Sequence, residues 1–414
     1  MLKTKAKITA AAFAFAAAIM GCSREASENS TGDMGDMSKG AAGSVLRILD
    51  YYINEPEKSH IQIALDHCAS ELGVRINREI VPDNTLVQKV LQKASARTLP
   101  DVLMLDNPNV QQIAESGVLA PLIDFNVPTA GYAKNILAAG TYDEKVYGLA
   151  PTVNTLALFY NKKILSAAGM TPPTTWAELR DSAKKLTTRD AYGLAFTAAA
   201  TAEGSWQFLP FMWSNGADES DLSSPKVSEA LQLFIDLVQS GAVSKSVVNW
   251  SQSDVNDQFI AGKAAMMING PWNMPKLNQS TGLDYGIAQI PVNVAGQTPI
   301  TPLGGEMWTV PRTGDKGKMA LAARFVECIN SDENQLALAE QRLTVPTKTA
   351  LLPQFVAKVP SMKVFAEQVA SARSRTGKLG VKWQDTSVVI YSAVQLGLTG
   401  KASSADAFKQ AAAK

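Results

Sequence analysis

Histidine is almost missing from this chain. His60 and His67 are the only two in 414 residues. They lie seven residues apart, without a cluster of cysteines or carboxylates, and a solvated helix face explains them better than a metal site. Cysteine is scarce too. Cys22, Cys68 and Cys328 are too few for a disulfide framework; Cys68 and Cys328 could pair with each other but are expected as buried free thiols. Charged residues make up 19% and the formal net charge is +1, so no basic field invites nucleic acid. Nucleophile elbow, zinc-protease motif, phosphate loop and dinucleotide fingerprint are all absent. Nothing in the sequence therefore signals an enzyme, a metal or a cofactor. Past residue 21 no apolar run is long enough to span a bilayer.

What is present begins at the amino terminus. Lys3, Lys5 and Lys7 precede a short apolar stretch that ends in Ile19-Met20-Gly21-Cys22. This order fits a signal peptide (1–21) cut before a lipid-modified Cys22. Each buried acyl CH2 contributes about 0.8 kcal/mol, so two or three chains hold a soluble body at a membrane. Losing the three lysines would take the net charge from +1 to −2. Residues 22–43 are polar and rich in Ser and Gly, as a flexible tether would be. The remainder is large enough, at 46% hydrophobic overall, for two domains with proper cores.

From Val45 the periodicity alternates. Strands are predicted at 45–53, 74–81 and 100–106, with helices at 60–73, 84–98 and 109–117 between and after them. That order argues for an open parallel sheet with helices on both faces. After Pro151 a second unit follows: a strand at 155–161, a helix opened by Thr174 or Thr175 with Glu178 as a capping box, and a strong amphipathic helix at 226–241. The stretch 254–277 reads as helix, strand, Gly-Pro-Trp turn and helix start. Further strands are predicted at 285–292 and 304–311, a helix at 315–331, and a last helical stretch at 385–414. The class is α/β, in two units with a cleft between them.

Polar and aromatic residues gather at the strand ends: Tyr51-Tyr52 with Asn54-Glu55, Asp106-Asn107, Asn154, and Glu306 after Gly304-Gly305. Asp106 suits either a helix N-cap or a ligand. Trp206, Trp213, Trp250, Trp272 and Trp383 add flat rings; Trp176 reads as core, and Trp308 fits sheet packing or a ligand. Rings beside planar polar groups suit sugars, whose C–H faces stack while their hydroxyls pair with carboxylates and amides. A glycan-degrading enzyme would need a carboxylate pair, with Glu203 and either Asp106 or Glu306 as candidates.

The blocks TYDEKVYGLAPTVNTLALFYNKKILSAAGMTPPTTWAELRDSAKKLT (141–187), GKAAMMINGPWNMPKL, YGIAQIPV and GGEMWTVP (262–311) stand in a specific order. In them the chain resembles extracellular solute-binding proteins of carbohydrate ABC transporters, the family that includes maltodextrin- and trehalose-binding proteins. The resemblance implies a periplasmic-binding-protein-like fold of two doubly wound lobes joined by a hinge. The amino lobe would take 44–152 plus 304–346, and the carboxy lobe 153–303 plus 347–414. It further implies that Trp272 stacks on a sugar ring and that Asp106, Asn154, Gly305, Glu306 and Arg375 bind its hydroxyls. Trp383 would form a second platform; Tyr52, Glu55 and Trp206, read from their positions at strand ends and among the rings, complete the expected site. The protein would be a monomer that serves permease subunits, with no nucleic acid partner. A polyol phosphate or a peptide is the alternative ligand, and a surface adhesin or signalling lipoprotein the alternative role.

Overall fold

The computed structural model describes residues 43–413. The expected signal segment, Cys22 and the tether through residue 42 lie outside the described residues. The main elements open with β1 (Val45–Asp50), α1 (Glu57–Glu71), β2 (Arg75–Ile80), α2 (Asp83–Ser95), β3 (Val102–Asp106) and α3 (Asn107–Glu115). Next come β4 (Ala157–Asn161), α4 (Trp176–Leu186), β5 (Tyr192–Ala195), α5 (Ala202–Ser214), α6 (Pro225–Gln239), α7 (Gln252–Ile260), β6 (Ala264–Asn269) and β7 (Tyr285–Ala288). Last are β8 (Glu306–Pro311), α8 (Lys316–Ile329), α9 (Asp332–Arg342), α10 (Lys363–Ser371), α11 (Trp383–Leu398) and α12 (Ser404–Ala412).

Two sheets organise these elements. The first runs β2-β1-β3-β8, continued by the short strand Leu119–Ala120. β1 is parallel to β2 and β3, and β8 returns antiparallel to β3. β3 is apolar and buried from Val102 to Leu105, as a strand covered on both faces must be. The second sheet runs β5-β6-β4-β7, with β5 parallel to β6 and β4 antiparallel to both its neighbours. Alternation along β4 and β6 divides the interior: Phe159 and Met267 join one core cluster, Leu158, Met266 and Ile268 the other. Three chain passages run side by side between the sheets. Thr152–Val153 pairs with Val345–Pro346, and Asn154 bridges to Gly304.

Local signals explain several element ends. The Thr175–Glu178 capping box is formed in both directions at the start of α4. Three expectations change. The carboxy-terminal helical stretch is two helices, parted by a turn at Gly400. The segment around Trp206 and Trp213, to which periodicity assigned no element, is the helix α5. It is buried from Gly204 onward, so it shows no amphipathic stripe. Its Pro210 sits inside the helix and added a misleading break signal.

The third change is a correction. Cys68 and Cys328 are not free thiols but a disulfide, with Cα atoms 5.8 Å apart. Cys68 belongs to α1 and Cys328 to α8, and the two helices pack side by side. A sequence separation of 260 residues hides that contact. Closing so long a loop removes on the order of 5 kcal/mol of unfolded-state entropy in the simplest chain model. Such bonds persist in oxidising compartments. His67 adjoins the pair, but its two neighbouring sulfurs are bonded to each other. Among the described residues no helix is long and apolar enough to cross a membrane.

Candidate functional site

Register builds the site. Glu306, the first residue of β8, lies opposite Asp106, the last of β3. Both carboxylates therefore stand at the edge where the parallel strands β1 and β3 end, beside Tyr51. Ligands bind at this edge in open α/β sheets. The other sheet presents its own edge. β6 ends at Asn269 and delivers Gly270-Pro271-Trp272, while the connection after β5 leads into α5 with Glu203 and Trp206.

Between the two edges lies a cavity of about 220 Å3. It is lined by Tyr51, Asp83, Asp106, Asn154, Ala202, Glu203, Trp206, Gln252, Trp272, Gly304, Gly305, Glu306 and Arg375. Seven expected residues meet here: Asp106, Asn154, Trp206, Trp272, Gly305, Glu306 and Arg375. Three do not line it. Tyr52 is 4% exposed and stands behind Glu306, donating to its Oε2 at 2.7 Å. Glu55 is exposed on the surface, where it accepts the Ser59 N–H at 3.2 Å. Trp383 is 3% exposed and packed in the carboxy core, so it offers no second platform. Tyr51, Asp83, Glu203 and Gln252 were not among the expected binding residues. Asp83 and Gln252 each open a helix, a position that sequence marks for structure and not for contact.

Asp106 does not act as a side-chain cap. It occupies the N-cap position of α3 but makes no side-chain cap bond. Its two oxygens instead accept from one Arg375 nitrogen, at 2.8 and 3.0 Å. The Arg375 guanidinium lies over the Trp206 ring, 4.6 Å from its centroid. Both residues are more than nine-tenths buried, and Trp206 Nε1 and Arg375 Nε have no partner. Buried donors left open in this way are costly unless something accepts from them. Glu306 accepts from Tyr51 at 2.9 Å as well as from Tyr52. Behind it, Arg342 stacks on Tyr52, reaches Glu306 at 3.6 Å and bonds Glu57 at 3.1 Å.

Glycines give the rings room. Gly270 has ordinary extended backbone, with φ −112° and ψ 173°, so left-handed freedom is not its purpose. A Cβ there would overlap the Trp272 ring, which folds back over it. Gly305 has φ +124°, and a Cβ would crowd Thr152 O and Val153.

The carboxylates perturb one another. Burial, then Asp106, pushes Asp83 up to about 6, against the pull of Arg375. Burial also raises Asp106, which Arg375 opposes, and raises Glu203. Glu203 accepts the Gln252 N–H at 3.1 Å. Burial pushes the Tyr51 and Tyr52 hydroxyls well above their ordinary value, so both act as neutral donors. The arrangement offers stacking faces, neutral donors and charged acceptors.

Comparison with known proteins agrees with this architecture. A model of the bacterial extracellular solute-binding protein family matches residues 64–364. A putative binding protein of Brucella abortus is 28% identical over 240 residues, 55% of this chain and 58% of that protein. This match thus spans little more than half of the Brucella protein's length. A maltooligosaccharide ABC transporter solute-binding lipoprotein of Streptococcus pneumoniae is 23% identical over 76% of this chain and 75% of its own. Among solved structures, the GacH receptor of Streptomyces glaucescens, studied unliganded and with acarbose, superposes with a TM-score of 0.79. It is 26% identical, over 89% of this chain and 96% of the receptor. The fold is periplasmic-binding-protein-like, with two lobes and the cavity between them.

Proposed function

Because the chain belongs to the bacterial extracellular solute-binding protein family, we propose that it captures a sugar for an ABC importer. The observation that carries this reading is the Trp272 ring, half-buried in a cavity whose other walls are Asp106, Glu306, Asn154 and Arg375. A pyranose would lay its C–H face on Trp272 and donate its hydroxyls to the carboxylates. The expected stacking role of Trp206 is narrower, since Arg375 already covers one of its faces. Lobe boundaries fall at 152/153, 303/304 and 346/347, where the three passages cross. A ligand touching both lobes stabilises their closed form by its differential contacts, and a permease then engages that form. No bond is broken. Cys22 carries the lipid that keeps a monomer at the membrane, on its exported side.

A phosphate-bearing ligand is disfavoured on a specific ground. It would need free cations, and the one basic residue of the lining is already bonded to Asp106.

A thermal-shift screen of the purified protein against mono- and oligosaccharides, polyol phosphates and peptides tests the reading. Ligand at a hundredfold excess over Kd stabilises by about 2.7 kcal/mol. A rise with sugars, lost in Trp272→Ala, supports it. A rise only with phosphates or peptides, or consumption of the sugar during incubation, overturns it.

A further inference from the structure

The cavity is charged in one sense. Asp83, Asp106, Glu203 and Glu306 line it against one cation, Arg375, which Asp106 already engages. Arg342 approaches Glu306 from behind but brings its own partner, Glu57, so the excess of three carboxylates stands. Asp83 feels Asp106, Glu306 and Glu203 as repulsive neighbours and Arg375 as an attractive one; Tyr51 also stands near it. After burial, the charge that raises Glu203 is another carboxylate, Asp254. Neutral hydroxyls would satisfy these oxygens as acceptors yet leave their mutual repulsion untouched. A cation removes it. The faces of Tyr51 and Trp272, set among the carboxylates, favour the same charge.

A second observation is independent of that charge. Trp206 Nε1 and Arg375 Nε, on buried residues of the lining, are donors without acceptors. Each atom has almost no exposed surface of its own, so an oxygen of the ligand would reach it only after a small shift of the lining. One molecule with hydroxyl or ether oxygens and a positive charge meets both demands.

We infer that the ligand is an amino sugar, or a similarly polyhydroxylated compound with a protonated amine, whose nitrogen sits between Asp83 and Glu203. This rests on the reading of the cavity as a sugar site. Asp83 opens α2 beside the first sheet and Glu203 lies in α5 beside the second. An amine between them would join the two lobes.

Titration calorimetry with matched sugars decides it. Each set compares a glucosamine or galactosamine trisaccharide with its N-acetylated form, which removes the charge but adds an acetyl group, and with its plain hexose counterpart, which removes the charge at nearly constant size. At neutral pH the amine should bind at least about tenfold tighter than its neutral matches, a gap one charge contact readily supplies. Asp83→Asn and Glu203→Gln should each shrink that ratio towards one, with unliganded unfolding curves confirming that the variants fold. The ratio should also shrink as pH falls through about 6, where Asp83 takes up a proton. If the amines bind no tighter than their matches in any set, the inference fails and the sugar reading stands. If the ratio survives in both variants, the seat is wrongly assigned and the inference fails. If no sugar of either kind binds, both fall.

Discussion

Trp272 and Gly270 act as one unit, because the ring folds over a position where a Cβ would overlap it. Gly270→Ala should therefore displace the ring and weaken sugar binding about as much as Trp272→Ala does. A stack of this kind contributes roughly 1–2 kcal/mol, so calorimetry should show a loss of roughly tenfold in each variant. Equal affinity in Gly270→Ala and the parent would show that the glycine does not set the ring. Asp83 supports a second expectation at this scale. Its folded-state pKa, about 6, lies above the ordinary carboxylate value of 3.8. The folded protein thus binds the proton more tightly, and this residue's share of stability falls as pH rises from about 4 to about 6. Asp83→Asn should remove that share and flatten the melting temperature of the empty protein across this window. An unchanged slope would mean that Asp83 is not held among its neighbouring carboxylates.

Elements show what the sequence could and could not convey. β3 and β8 were legible as an apolar run and a strand after a glycine pair, which put Asp106 and Glu306 at strand ends, and both line the cavity. Their opposition in register was not legible, since pairing partners lie two hundred residues apart. At the end of β1 the expectation chose Tyr52 over its neighbour Tyr51. Neighbouring residues of an extended chain point to opposite sides, and here Tyr51 takes the cavity while Tyr52 takes the wall behind Glu306. Asp83 and Gln252 escaped because helix-start residues look alike whether they cap or contact. The turn after Gly270 already singled out Trp272, whereas the resemblance supplied Arg375, which composition alone would have left as a lone cation. It also supplied Trp383, which α11 buries. α5 carries the remaining lesson at this scale. Glu203 and Trp206 lie one turn apart in a helix fixed by its buried face, so Pro210→Ala should leave the site intact. Retained sugar affinity in that variant would confirm it; a large loss would show that the proline shapes the helix start.

At the scale of the whole molecule the disulfide and the crossing passages divide the labour. Cys68–Cys328 fastens α1 to α8 within the amino-terminal part and touches no cavity residue. Cys68→Ser with Cys328→Ser should lower unfolding stability by a few kcal/mol, up to about 5 in the chain-entropy limit. Sugar affinity should be unchanged. A parallel loss of affinity at a temperature where the variant remains folded would tie the bond to the site. Closure is open to small-angle scattering, in which a bound sugar should lower the radius of gyration. No change on saturation would argue for a rigid cleft.

Asn154 and Gly304 bridge two of the three passages between the lobes, and both also line the cavity. Evolution of a new substrate preference at these two positions therefore cannot proceed by fit alone. A replacement there alters how often the empty protein visits its binding-competent shape, and apparent affinity is scaled by that frequency. A substitution at Trp272 or Glu203 would alter the fit of one ligand, whereas one at Asn154 or Gly304 would retune every ligand at once.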